Sequence, residues 1–328
     1  MTSQQPPAFR AQARVPFWRR TPPAVFPPLL GLFGLAQAWG QAAAPFGVPR
    51  GVSELLLGAI ALFYAFALAA YLAKAAARPA VVLEDLRILP GRAGIAAMTL
   101  CLLLLAAGLA PIAPSAARGL LFAGLAAHFG VAALVAYSLM SGPAEARKVT
   151  PAWHLSFVGF IVAPLSAAPL GHTSLAGAIL AGTAAVAALI YGVSVAQILR
   201  RIPPPPLRPL LAIHLAPLAL FGSASVLLGL TDLALVFAGL ASVVALALLL
   251  SARTLTSAGF SPLWGAFTFP LAAYSGLMLG LADQGQIFRI VGGVTLVAAT
   301  LLIPWIAVRV VQMWVRGTLA AKTNAAVA

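Results

Sequence analysis

The chain has 328 residues, of which 62% are apolar and 8% charged, with a formal net charge of +14 and a mean hydropathy of +1.02. That balance excludes an ordinary soluble domain. The basic excess would point to nucleic acid in a soluble protein, but here it is partitioned by membrane side, so no nucleic-acid partner is expected.

Residues 1–20 read as a basic N-terminal arm carrying Arg10, Arg14, Arg19 and Arg20. Arginines, an apolar stretch and Ala36-Gln37-Ala38 imitate a signal peptide. The long basic region with Pro6, Pro7, Pro16, Pro22 and Pro23 argues against that, so the stretch is kept as the first span. Beyond it, no Lys, Arg, Asp or Glu falls within the runs 21–49, 55–73, 93–117, 119–144, 149–199, 209–231, 233–252, 254–282 and 290–308. A hydrocarbon core of about 30 Å takes about 20 apolar residues in a helix. The 149–199 run is long enough for two spans, with a turn at Pro169-Leu170-Gly171-His172-Thr173-Ser174. The chain therefore predicts an all-α integral membrane protein with ten spans, near 24–43, 52–73, 93–111, 118–140, 152–170, 174–198, 209–229, 232–252, 262–282 and 287–310. They occupy one domain, 21–312, in a lipid bilayer, and the tail 313–328 has no evident fold. Short connections make successive spans antiparallel hairpins. The longest loop, 74–92, and the stiff linker Arg200–Pro209 lie on one side.

With the N-terminus inside, seventeen of the twenty basic residues fall on the cytoplasmic side, leaving only Arg50, Arg118 and Arg289 opposite. This bias predicts a multi-pass cell (inner) membrane protein with both termini cytoplasmic. Prolines divide the spans further. Pro27 and Pro28 enter the first, Pro164 the fifth, Pro217 the seventh and Pro270 the ninth, while the second, fourth, sixth and eighth have none inside. Proline removes a backbone hydrogen bond and kinks a helix, so the odd spans are expected to form an inner, bent ring.

No span centre carries Asp, Glu or Lys, the groups that usually bind a coupling ion at membrane depth. A neutral path disfavours cations and does not repel anions, and interrupted helices add N–H dipoles. His154 and His214 fall near the cytoplasmic ends of the fifth and seventh spans, His128 lies mid-span and His172 in an external turn. His154 and His214 are matched in depth. They read as interfacial residues or, with Arg208, as groups of a cytoplasmic vestibule; a haem held between them defines a redox alternative. No metal-ligand spacing, phosphate loop or dinucleotide fingerprint is present, so no metal, cofactor or enzymatic activity is expected. Gly222-Ser223-Ala224-Ser225 lacks a partner histidine at its depth for protease chemistry. In Trp264-Gly265-Ala266-Phe267-Thr268-Phe269-Pro270, Phe269 sits beside the Pro270 kink. Its ring either closes a pore or packs among its neighbours, and the residues alone favour packing.

Several segments resemble the tellurite-resistance/dicarboxylate transporter family, which includes bacterial TehA proteins, plant slow anion channels and fungal malate and sulfite carriers. They are Phe26 through Trp39; Thr150-Pro151-Ala152-Trp153 with Val158-Gly159; Leu207-Arg208-Pro209 with Ala216-Pro217; and Trp264 through Ala273. Their order spans nearly the whole chain. Gly265 and Phe267 depart from the Trp and Tyr that members often carry. The resemblance implies five hairpins around a central pore lined by the odd spans, commonly in a homotrimer, with Phe269 as gate. Phe33, Phe160, Phe221 and Phe267 then become pore-lining candidates. It implies an anion channel or facilitative transporter for small inorganic or organic anions. The alternative within transport is a proton-coupled carrier of dicarboxylate, sulfite or tellurite-related species.

Overall fold

The computed structural model describes residues 16–328, so the expectation for residues 1–15 of the N-terminal arm lies outside the described residues. The α-helices are α1 (Phe26–Gln41), α2 (Ala43–Phe46), α3 (Arg50–Ala77), α4 (Ala80–Arg87), α5 (Leu89–Leu109), α6 (Pro114–Ser141) and α7 (Pro164–Ala167). There follow α8 (Thr173–Arg200), α9 (Leu215–Leu227), α10 (Thr231–Leu250), α11 (Ala252–Leu255), α12 (Gly265–Gly280), α13 (Gln286–Val315) and α14 (Thr318–Lys322). Among the described residues eight helical segments are long and apolar enough to cross a membrane. Of the other two expected spans, α1 is only 16 residues and the fifth is a broken run within His154–Ala167.

Proline position explains the irregular helices. The fifth segment opens with one π-helical turn, His154–Val158, continues as a 3₁₀ turn, Gly159–Val162, and becomes α-helical only at Pro164. In the seventh, Pro205–His214 winds as 3₁₀-helix before α9 begins, and Pro217 lies in the first turn of α9. Short 3₁₀ turns, Pro23–Val25 and Pro262–Trp264, precede α1 and α12. By contrast α3, α6, α8, α10 and α13 run without interruption for 20 to 30 residues. Pro304 sits inside α13 without breaking it.

Burial follows the same division. In α3, α6, α8, α10 and α13 only 17–33% of the membrane-length window is buried, against 72% in α5, 78% in Pro205–Leu227 and 56% in Pro262–Gly280. α1 packs on α5, α5 on the 154–167 segment, that segment on α9, α9 on α12, and α12 returns to α1. Each of these five also packs on the long helix that follows it in sequence. The long helices turn Leu62, Phe129, Leu189, Val243 and Leu301 outward. Such continuous apolar exposure suits contact with lipid, not water.

The 74–92 loop is not loose. It holds α4, whose Asp85 forms an ion pair with Lys74 at 2.9 Å, both side chains fully buried. Asp85 also accepts from the Tyr71 hydroxyl, while Lys74 donates to the Thr21 carbonyl. The second carboxylate oxygen of Asp85 accepts the backbone N–H of Ala326 at 2.8 Å. The tail expected to lack a fold therefore docks, with Leu319 of α14 buried in the core. Glu84, by comparison, pairs with Arg78 in a half-exposed position.

Removing one member of a buried ion pair strands the other and costs about 3–5 kcal/mol. Asp85→Ala is therefore expected to lower the thermal unfolding temperature in detergent and expose the 318–328 tail to limited proteolysis. Glu84→Ala, on an exposed pair worth about 0–1 kcal/mol, is expected to change neither measurement.

Candidate functional site

Two cavities lie one beyond the other among the elements that bear the prolines. The shallower is walled by Ala24, Pro27 and Leu30 of the first segment and by Pro90 and Ala93 of α5. Leu155, Leu210, Ile213 and Ala216, with Pro262, Leu263, Gly265, Ala266, Phe269 and Pro270 on the α12 side, complete the wall. Most of these residues belong to the first turns of their helices. The deeper cavity is walled by Leu100, His154, Leu155, Val158, Gly159, Ile161, Val162, Ile213, Ala216, Pro217, Leu220 and Phe269. Among the described residues no charged side chain lines either one.

Phe269, Leu155, Ile213 and Ala216 belong to both walls. Phe269 is the largest of the four, and only 6% of it is exposed. Its position is imposed by the close approach of α1 and α12. A Cβ on Gly31 would collide with Thr268, and one on Gly34 would stand 2.9 Å from Cδ2 of Phe269 and 3.0 Å from Ala272 Cβ. Glycine at these two positions lets α12 press its Thr268-Phe269 turn onto α1. The Thr268 hydroxyl donates to Gly265 O at 2.7 Å and lies 3.2 Å from Pro27 O, tying the kinked turn of one helix to the first turn of the other.

The remaining prolines divide in placement. Pro27 and Pro270 line the shallower cavity and Pro217 the deeper, whereas Pro164 begins α7 and lines neither. None of the four other phenylalanine candidates lines either cavity. Phe33 packs edge-on against Tyr64 of α3, Phe221 at a tilt against Phe237 of α10, and Phe160 and Phe267 edge-on against His128 of α6 and Trp264. The first three rings are turned towards the long helices behind them. Arg208 is occupied in holding the linker: its guanidinium donates to Pro203 O at 3.0 Å and to Ser257 Oγ at 3.2 Å.

His154 and His214 are brought together, but away from an open vestibule. His154 Nε2 and His214 Nδ1 share a hydrogen bond of 3.1 Å, and the rings are 2% and 8% exposed. Tyr191 of α8 stacks on both and donates its hydroxyl to the His214 carbonyl. Two axial imidazoles on one metal need roughly 2 Å for each metal–nitrogen bond. Nitrogens 3.1 Å apart leave no room for an iron and its porphyrin plane between them. The pair does not fit a haem.

The residues the sequence reading missed are Leu155, Ile213 and Ala216, which share the partition with Phe269, and Gly34, which seats the ring. The spacing of Gly31 and Gly34 on one helix face was a signal for close helix approach. Nothing distinguished the apolar three from other apolar residues of their spans.

Methyl groups added to a well-packed contact cost about 1–3 kcal/mol. Gly34→Ala is therefore expected to lower the unfolding temperature in detergent. Gly276→Ala on α12, whose added Cβ meets nothing closer than 3.9 Å, serves as the control and is expected to leave it unchanged.

Comparison with known families bears on this geometry. The family model described as SLAC1, voltage-dependent anion channel, matches residues 20–311. No curated protein gives a significant match. The match covers most of the chain, which therefore belongs to this anion channel family and is a multi-pass membrane protein.

Proposed function

We propose that this member of the voltage-dependent anion channel family carries small anions passively through the two cavities, as a channel or facilitative transporter, with Phe269 as the barrier between them. One observation carries the reading. The Phe269 ring stands in the walls of both cavities, and neither wall holds a charged side chain. A neutral, narrow apolar path is closed by a bulky ring through steric block and dewetting. The shallower cavity is ringed by the first turns of α1, α5 and α12, whose N–H dipoles favour anions over cations.

In this reading α1 with its preceding turn and the His154–Ala167 segment also cross the membrane, giving ten spans in five hairpins about the path. Their brevity suits segments shielded by protein, where irregular backbone is tolerated. The positive-inside bias puts both termini and the shallower cavity on the cytoplasmic side of a cell membrane. The exposed apolar faces of the long helices meet lipid and, as the family resemblance implies, neighbouring copies in a homotrimer. Chloride and nitrate are suitable test ions, since the walls contain no group specific for a carboxylate.

Phe269→Ala removes the ring that separates the cavities. Chloride or nitrate flux into proteoliposomes is expected to rise at least about tenfold, equivalent to about 1.4 kcal/mol off the barrier. Phe221→Ala, a truncation of equal size outside both walls, is expected to leave flux unchanged while lowering stability. Equal flux in wild type and a well-folded Phe269→Ala variant sinks the gate assignment.

A further inference from the structure

The pore reading leaves the histidine pair without a role, yet its geometry is that of a site. His154 sits at the start of the π-helical turn and lines the deeper cavity. π-Turns inside helices often mark functional positions. His154 and His214 satisfy each other through one hydrogen bond, while their far nitrogens, His154 Nδ1 and His214 Nε2, are buried and have no partner.

In a neutral pair one ring donates and the other accepts. The donor's far nitrogen then keeps a bare lone pair, and the acceptor's far nitrogen keeps an N–H. A single proton entering at the lone pair makes the unit a cation with two outward N–H donors. Buried unpaired charge is strongly unfavourable, and a counter-ion alongside removes most of that penalty. Elsewhere the cavity wall is entirely apolar.

The surroundings supply no fixed counter-charge. The 154–158 turn packs on α5, α6 and α8, and the 205–214 helix packs on α9, α10, α11 and α12. Of the titratable groups on these elements only Tyr191 touches the pair. His128 of α6 bonds Thr99, Tyr274 of α12 bonds Ser242, and Cys101 of α5 lies in the core. Arg92, Arg118, Arg200, Asp232 and Arg253 lie in the terminal turns of α5, α6, α8, α10 and α11. Among the described residues neither histidine forms an ion pair.

We infer that His154, which lines the deeper cavity, and His214, hydrogen-bonded to it outside that wall, together form a site for one proton and one small anion, the proton and the anion each favouring the other's binding. This rests on the pore reading above. By linkage the anion tightens proton binding by the same factor that the proton tightens anion binding. Acid conditions therefore raise anion occupancy of the path, and the pair acts as one unit because its two rings share a single added proton.

The test uses the full chain in detergent with ¹⁵N-labelled histidine rings, titrated by NMR in gluconate and then in nitrate at equal ionic strength. The expected result is one shared titration step for the two rings, displaced upward in nitrate by about one pH unit, a tenfold linkage. Independent titration of the rings, or a midpoint that nitrate leaves in place, overturns the site. A flux arm compares Phe269→Ala with Phe269→Ala/His154→Gln in proteoliposomes across the histidine range, from about pH 7.5 to about pH 5.5. Nitrate flux in the first is expected to rise several-fold on acidification, and the rise is expected to vanish in the second. An undiminished rise in the double variant overturns the assignment of the proton to this pair. A nitrate-linked NMR shift without flux in Phe269→Ala sinks the pore reading and leaves the site. Flux without the shift does the reverse.

Discussion

Everything in this architecture depends on what lipid does to an unpaired peptide group. In hydrocarbon each unsatisfied N–H or C=O costs several kcal/mol, so irregular backbone survives at membrane depth only inside protein or beside water. The π and 3₁₀ turns at His154–Val162 and Pro205–His214, and the 3₁₀ turns Pro23–Val25 and Pro262–Trp264 before α1 and α12, are irregular backbone of this kind. They are buried among α3, α6, α8, α10 and α13, all of which run as unbroken helices, α13 lacking only the N–H of Pro304. The division of labour between straight and broken helices is thus a consequence of hydrogen-bond satisfaction.

That shielding allows the broken elements to enclose space. A regular helix would present an even row of side chains to its neighbours, whereas the π and 3₁₀ turns wind differently, and residues of these segments line the cavities. Close packing elsewhere then places the Phe269 ring. Gly31 and Gly34 let α1 and α12 approach until Phe269 is held against α1, at the partition of the two cavities. Dispersion contacts reward such an approach in membranes, where helix association gains little from the hydrophobic effect. At the polar margin a different force acts. The Lys74–Asp85 pair gathers α3, α4, the segment before α1 and the tail beyond α14 into one hydrogen-bonded cluster.

Legibility in the sequence followed the physics of each feature. Charge-free runs marked the spans because a charge at the bilayer centre is expensive, and eight of them appear as long helices. Prolines marked the irregular elements because a missing N–H has a local effect wherever the residue sits. The direction of the aromatic rings was not legible. Phe33 and Phe221 lie on helices of the inner ring, as Phe269 does, but rotation about the helix axis turns them onto Tyr64 and Phe237. The spans are apolar on every side, with nearly no amphipathic face to tell inward from outward.

By itself, then, the sequence determined the membrane class and the positions of the eight long apolar helical segments, which depend on single residues against a bulk solvent. Only the tertiary structure decided that Phe269 separates two cavities, that His154 meets His214 across 60 residues of chain, and that Asp85 receives the tail. Those are pairings between segments distant in sequence. They arise from the packing of nearly uniform apolar helices, in which small residues such as Gly34 and the local winding at His154 set the rotation that composition leaves open.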